Sequence, residues 1–145
     1  MKYTNEIIIN LPISRVIELF DNPDNLKHWM PGLISFEHLS GTPGQPGAKS
    51  KVKFKMGKRE MEMVETIVVR DLPHEFSGTY EHQGVYNYVK NLFTDMGNGT
   101  TRYVTENEFK MRGIMKVVGW LMPGAFKKQS QKYLELFKQF AENAK

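Results

Sequence analysis

Apolar residues along this chain follow two rhythms, and the switches between them mark out the elements. From Tyr3 to Asn10 an Ile-rich run with Ile7, Ile8 and Ile9 predicts a strand that stops at Leu11-Pro12. Pro12 fixes φ and suits the first turn of a helix, and Val16, Ile17, Leu19 and Phe20 then recur at helical spacing, predicting a short helix from about Ile13 to Phe20. Asp21-Asn22-Pro23 breaks it. Pro23 opens a second short helical segment carrying Leu26, Trp29 and Met30, which Pro31-Gly32 ends.

From Leu33 the period falls to two. Leu33 to Leu39, Ser50 to Met56, Glu60 to Arg70, Glu75 to Glu81, Val85 to Thr94 and Thr100 to Met111 each read as strands. Turn-forming residues separate them: the loop Gly41 to Gly47, then Gly57-Lys58, Leu72-Pro73-His74, Gln83-Gly84 and Gly97-Asn98-Gly99. No helical stretch interrupts this meander of six strands, so its connections are hairpins and its sheet is antiparallel.

After Gly113 comes the longest helical pattern. Val117, Leu121, Phe126, Tyr133, Leu134, Leu136, Phe137, Phe140 and Ala141 form a broad apolar stripe, with Lys127, Lys128, Lys132, Glu135, Lys138 and Glu142 largely off it. A helix from Met115 to Asn143 would span about 44 Å at 1.5 Å per residue, suited to crossing the concavity of a curved sheet. Pro123 is expected to bend it near Gly119 to Gly124.

Composition narrows the function classes. The chain has 145 residues, 40% hydrophobic and 25% charged, which predicts a single domain over 1–145 with a genuine core. There is no cysteine, so disulfides, thiolate nucleophiles and Cys-based metal sites are excluded. The apolar run near the N-terminus is too short for a signal peptide, and the longest apolar stretch, Val117 to Phe126, falls short of the roughly 20 residues of a spanning helix. A cytoplasmic protein without stable membrane insertion is expected.

The net charge of +4 raises the question of nucleic acid, which distribution answers better than the sum. The densest basic stretch is Lys49, Lys51, Lys53, Lys55, Lys58 and Arg59, where lysines alternate with Val52, Phe54 and Met56, the pattern of a strand with one solvated face, so no nucleic-acid partner is expected. His28, His38, His74 and His82 sit on different elements with no metal-ligand spacing, and there is no phosphate-binding or dinucleotide fingerprint. No metal and no cofactor are expected.

The order strand, two short helices, six-strand meander, long C-terminal helix resembles the START-like or SRPBCC superfamily, which includes the birch-pollen-allergen proteins and the polyketide cyclase/dehydrase-like bacterial branch. The resemblance covers essentially the whole chain. It is carried by INLPISRVIELFDNPDNLKHWMPGL at Ile9 to Leu33, GNGTTRYVTENEFKMRG at Gly97 to Gly113 and the tail KKQSQKYLELFKQFAENAK. It implies an α+β helix-grip fold, a seven-stranded curved antiparallel sheet with two short helices after strand 1 and a long C-terminal helix, enclosing a cavity. It implies no particular reaction, because that scaffold hosts carriers, cyclases and regulators alike.

Strand alternation then sorts the faces of that cavity. Val52, Phe54 and Met56, then Met61, Met63, Ile67 and Val69, read as inward, with Glu65 on the same side. In Thr100 to Met111 the set Tyr103, Thr105, Asn107, Phe109 and Met111 is inward because the alternate set carries the charges. Phe76 and Tyr80 look inward too. In Val85 to Thr94 the set Tyr86, Tyr88, Leu92 competes with Val85, Val89, Phe93, and a bulge would serve both.

Candidate ligand-contacting residues are therefore Trp29, Phe54, Met56, Met63, Glu65, Tyr80, Tyr88, Tyr103, Asn107, Trp120 and Phe126. The methionines supply adaptable apolar wall. Glu65 and Asn107 are the costly ones to bury: Glu65 orients a ligand hydroxyl, acts as a general base, or is satisfied by a tyrosine or turned out by a bulge. Trp120, Pro123, Gly124 and Phe126 form a hinge at the cavity mouth or a plain packing kink. The first reading is binding of a hydrophobic small molecule, lipid-like or polyketide-like, without turnover. The second is a cyclase or dehydrase working through Glu65 and tyrosines, and the third a protein-interaction module using the lysine face.

Overall fold

A computed structural model describes residues 1–56, 58–113 and 123–145. Strand β1 (Lys2–Ile9) leads into helix α1 (Ile13–Phe20), a single 3-10 turn at Pro23–Asn25 and the short helix α2 (Leu26–Trp29). Six strands follow: β2 (Leu33–Ser40), β3 (Lys49–Met56), β4 (Arg59–Asp71), β5 (Glu75–His82), β6 (Val85–Asp95) and β7 (Thr101–Met111). Helix α3 is described over Pro123–Asn143. The strands form one antiparallel sheet in the order β1-β7-β6-β5-β4-β3-β2, so the meander expected from the turns is present and β1 closes against its last strand.

The reason β1 and β7 pair is visible in their alternation. Asn5, Ile9, Thr101, Tyr103, Thr105 and Asn107 are buried on one side, whereas Glu6, Arg102 and Glu106 are exposed on the other. Across that outer face Arg102 reaches Glu6. Helix α3 lies on the inner side of β1, and its side chains cap the strand's backbone: Gln131 Nε2 donates to the Glu6 carbonyl at 3.3 Å and Lys138 Nζ to that of Ile8.

The filled core sits at one end, where α1, α2 and the C-terminal half of α3 meet β1, β6 and β7. Ile9, Val16, Leu19, Trp29, Phe93, Tyr103, Leu134, Phe137 and Ala141 make up this buried cluster. Phe20 is its hub: its ring centroid lies 5.0 Å from Phe93, 5.9 Å from each of Phe76, Tyr103 and Phe137, and 6.1 Å from Trp29. Three of these contacts are edge-on to the sheet aromatics, an arrangement their quadrupoles favour.

One irregularity positions the short helices. The β4–β5 register shifts between Ile67 and Val69, leaving Val68 as an exposed extra residue. The shift reverses the alternation beyond it, so Arg70 instead of Val69 falls opposite the inward Phe76. From there Arg70 donates to both carboxylate oxygens of Asp21, at 2.8 and 2.7 Å, and ties the end of α1 to the sheet. At the start of β2, Gly32 has φ +90° and a Cβ there would lie 2.6 Å from the Lys55 carbonyl oxygen, so only glycine lets the chain turn from α2 into the sheet at this distance.

Candidate functional site

Registers fix the concave face strand by strand. Glu65 stands opposite Ser50 on β3 and Tyr80 on β5; Tyr80 stands opposite Asn87 on β6; Ser50 stands opposite His38 on β2. One polar row, His38, Ser50, Glu65, Tyr80 and Asn87, therefore crosses the inner face from the β2 edge to β6. Adjacent strands lie about 4.8 Å apart, so the row spans about 19 Å. Apolar rows flank it: Phe54 and Met61 are paired on one side, with Val52 and Met63 between, and Ile67 lies on the other.

At the centre of the row the Tyr80 hydroxyl donates to Glu65 Oε2 at 2.7 Å. Burial pushes the Glu65 carboxyl above its usual range, and the hydrogen bond from Tyr80 opposes that only in part. Burial raises the Tyr80 phenol well above its ordinary value, helped by the charge and the hydrogen bond of Glu65, so it stays protonated and remains the donor. Both groups lie deep among protein atoms yet are only half closed to solvent. The pair is therefore neither sealed in the core nor free on the surface. Tyr103, by contrast, is 2% exposed, and its hydroxyl is used up on Asn91 Oδ1 at 2.7 Å.

The remaining sequence candidates divide. Phe54 and Met63 lie on the inner face near the row, and Asn107 is inward and buried, accepting from Asn87 Nδ2 at 3.2 Å. Phe126 packs its ring 5.2 Å from that of Phe109 and brings α3 onto the β7 wall. Trp29 is a core residue, 6% exposed between Phe20 and Phe137, and is corrected from wall to core together with Tyr103. Tyr88 is also corrected: β6 runs in unbroken register with β5 and β7, no bulge occurs, and Tyr88 faces outward opposite Thr79 and Glu108, with the Lys90 ammonium 6.0 Å from its ring centroid. On β4 the bulge turns Val69 outward, opposite Ser77. Met56 ends β3, but its side chain lies outside the described residues, as does Trp120 with the expected bend near Gly119 to Gly124.

Ser50, Asn87 and His38 were not singled out from the sequence. Small polar residues in a strand carry no sign of which face they take; counting the unbroken β3–β4 register back from its hairpin pairs Glu65 with Ser50, but register shifts in β2–β3 and β4–β5 hide His38 and Asn87 from such a count. Although His38, Ser50 and Glu65 are neighbours, they do not form a nucleophilic triad, because the serine separates the histidine from the acid that would have to orient it.

The outer lysine stripe is not a bare positive face. Lys51 stands opposite Glu37, Lys55 opposite Glu60, and Lys53 opposite Glu62 with Nζ 3.5 Å from its carboxylate.

Comparison with known proteins places this geometry. A profile described as polyketide cyclase / dehydrase and lipid transport matches residues 1–142. The chain belongs to that family. Solved structures of the same fold align over nearly the full length. The Zhui aromatase/cyclase from Streptomyces sp. R1128 superposes with a TM-score of 0.80 at 11% identity, covering 98% of this chain and 93% of that one. Truncated norcoclaurine synthase from Thalictrum flavum gives 0.77 at 13% identity, covering 100% and 95%, and Ara h 8.0201 gives 0.75 at 15%, covering 97% of each. At these identities the structures establish the helix-grip fold of the family and no more. A search of curated proteins finds no match to the sequence.

Proposed function

We propose that this family member binds a hydrophobic small molecule, lipid-like or polyketide-like, between the concave sheet and α3, as a single-domain cytoplasmic carrier or receptor. The observation that carries the reading is the Glu65–Tyr80 pair, hydrogen-bonded at 2.7 Å, deep in the molecule and still accessible, among Phe54, Met61 and Met63. A wall that is mostly apolar with a few placed polar groups is what recognition of an apolar ligand requires. Among the described residues no helix is long and apolar enough to cross a membrane, which is compatible with a carrier that works in water.

A second reading is supported by the same pair. A glutamate held above its usual range beside a phenol that stays protonated is suited to proton transfer in a bound polyketone, which is the work of a cyclase or dehydrase. The two readings share a site and differ in turnover. Native mass spectrometry of protein taken from its own host tests them: the binding reading expects a retained small molecule that exchanges unchanged with added ligand, the enzymatic reading expects a product of altered mass. Protein that emerges empty and ignores a library of apolar ligands would sink both.

A further inference from the structure

The polar row also constrains the head group of the ligand, an inference that rests on the binding reading above. Glu65 Oε2 is taken by Tyr80, and among the described residues no side chain donates to Oε1. Ser50 stands directly opposite Glu65 on the same face and makes no side-chain hydrogen bond among the described residues. Directly opposed side chains in an antiparallel pair have Cβ atoms about 5 Å apart, so one ligand oxygen can meet both. The group that fits offers a donor to Glu65 and an acceptor to the Ser50 hydroxyl.

We propose that the ligand is an uncharged molecule carrying a hydroxyl group, alcohol or phenol, which donates to Glu65 and accepts from Ser50, and that molecules carrying a carboxylate are rejected. A carboxylate has no proton to give Glu65 and would stand beside a second carboxyl group. No described cation is placed to offset it. Two arginines share the inner face toward its ends, Arg59, exposed at the start of β4, and Arg70, held by Asp21, while the row's own basic side chain, His38, is exposed at the β2 edge beyond Ser50. Lys127, Lys128 and Lys132 of α3 are exposed, and Lys138 is engaged by Ile8 and Glu142. An ammonium ion would meet a favourable charge, but it would give up its hydration among Phe54, Met61 and Met63. A hydroxyl gives up far less.

The test is a matched series with one apolar body: 2-naphthol, 2-naphthoate and 2-naphthylmethylammonium, titrated calorimetrically into the whole protein at pH 7.5. The expected result is 2-naphthol binding at least tenfold tighter than either ion. Ser50→Ala should weaken 2-naphthol by about threefold to tenfold, the size of one neutral hydrogen bond. Glu65→Gln should shrink the preference for 2-naphthol over 2-naphthoate by at least fivefold, because the repelling carboxyl is gone. Equal or tighter binding of 2-naphthoate or of the ammonium compound by the wild type overturns the proposal while leaving the binding site standing. So does a preference that survives Glu65→Gln unchanged, since any apolar cavity would then explain it. Failure of all three probes to bind removes the binding reading and the inference with it. If Glu65→Gln does not fold, the wild-type ranking and Ser50→Ala still decide.

Discussion

Glu65 makes a claim at the scale of one residue that can be tested without a ligand. Its carboxyl is raised above the unfolded value by burial, so the folded protein binds that proton more tightly than the unfolded chain does. The associated stability is fully present below the ordinary glutamate range and is lost as pH rises through the higher folded value. Glu65→Gln keeps an oxygen for Tyr80 and removes the ionisation. It should therefore melt higher than the wild type at pH 7.5 and by much less at pH 4, measured by thermal unfolding across pH; a variant less stable at both pH values would show that the carboxylate is stabilised by something other than Tyr80. Tyr80→Phe removes the opposing hydrogen bond, so the carboxyl should titrate still higher, visible as a further upward move of the pH at which stability falls. The pair itself was half legible in sequence: Glu65 stood on an apolar face and demanded a partner. That the partner is Tyr80 needed the hairpin register, and Tyr88 shows the reverse failure, because both alternating sets of β6 are apolar or aromatic and only its neighbours decide which turns inward.

At the scale of elements, change of period together with the turn residues that bound each run was enough to find every described strand and both short helices. The β4 bulge was invisible, and with it the link between Arg70 and Asp21. Trp29 was misplaced for a related reason: an apolar residue on a helix face announces burial but not whether it meets a cavity or a filled core. The hub position of Phe20 sharpens this. Phe20→Ala should destabilise the domain by about 3 kcal/mol or more, the range of large aromatic truncations in a core. Its loss should also loosen the indole of Trp29, 6.1 Å away, and shift tryptophan emission to the red in the still-folded variant. If Phe20→Ala left both melting and emission untouched, the cluster would not be the core this packing describes. The Arg70 link is worth less, since both partners are partly exposed, with side-chain accessibilities of 25% and 34%. Arg70→Gln should cost about 1 kcal/mol, and most of that should vanish in high salt.

At the scale of the whole molecule, α3 is held in two different ways along its length. Its C-terminal half is anchored by Leu134, Phe137 and Ala141, all closed from solvent within the aromatic core. The turns before it rest on a polar bed: Tyr3 and Ser130 share a hydrogen bond of 2.9 Å, and Asn5 Nδ2 donates to the Lys127 carbonyl at 3.1 Å and to Gln131 Oε1 at 2.9 Å. Beneath them Asn5 Oδ1 and Thr105 Oγ1, on directly opposed residues, are buried without a hydrogen-bond partner among the described residues. Hydrogen bonds between neutral groups contribute about 1 kcal/mol each, while an unpaired buried polar atom costs about as much, so this half gains little from lying down. The core half gains apolar burial and keeps it. Amide exchange should therefore be faster over residues 125–131 than over 134–141, because the first opens locally and the second only with the domain. A ligand seated against Phe126 and the inner wall adds contacts to the weakly held half alone. At one hundred times its dissociation constant it should stabilise the fold by about 2.7 kcal/mol, and the protection it confers should fall chiefly on 125–131, closing the gap between the two halves. Uniform exchange along the free helix would mean that the polar bed binds as firmly as the core and that the cavity is not bounded by a weakly held segment.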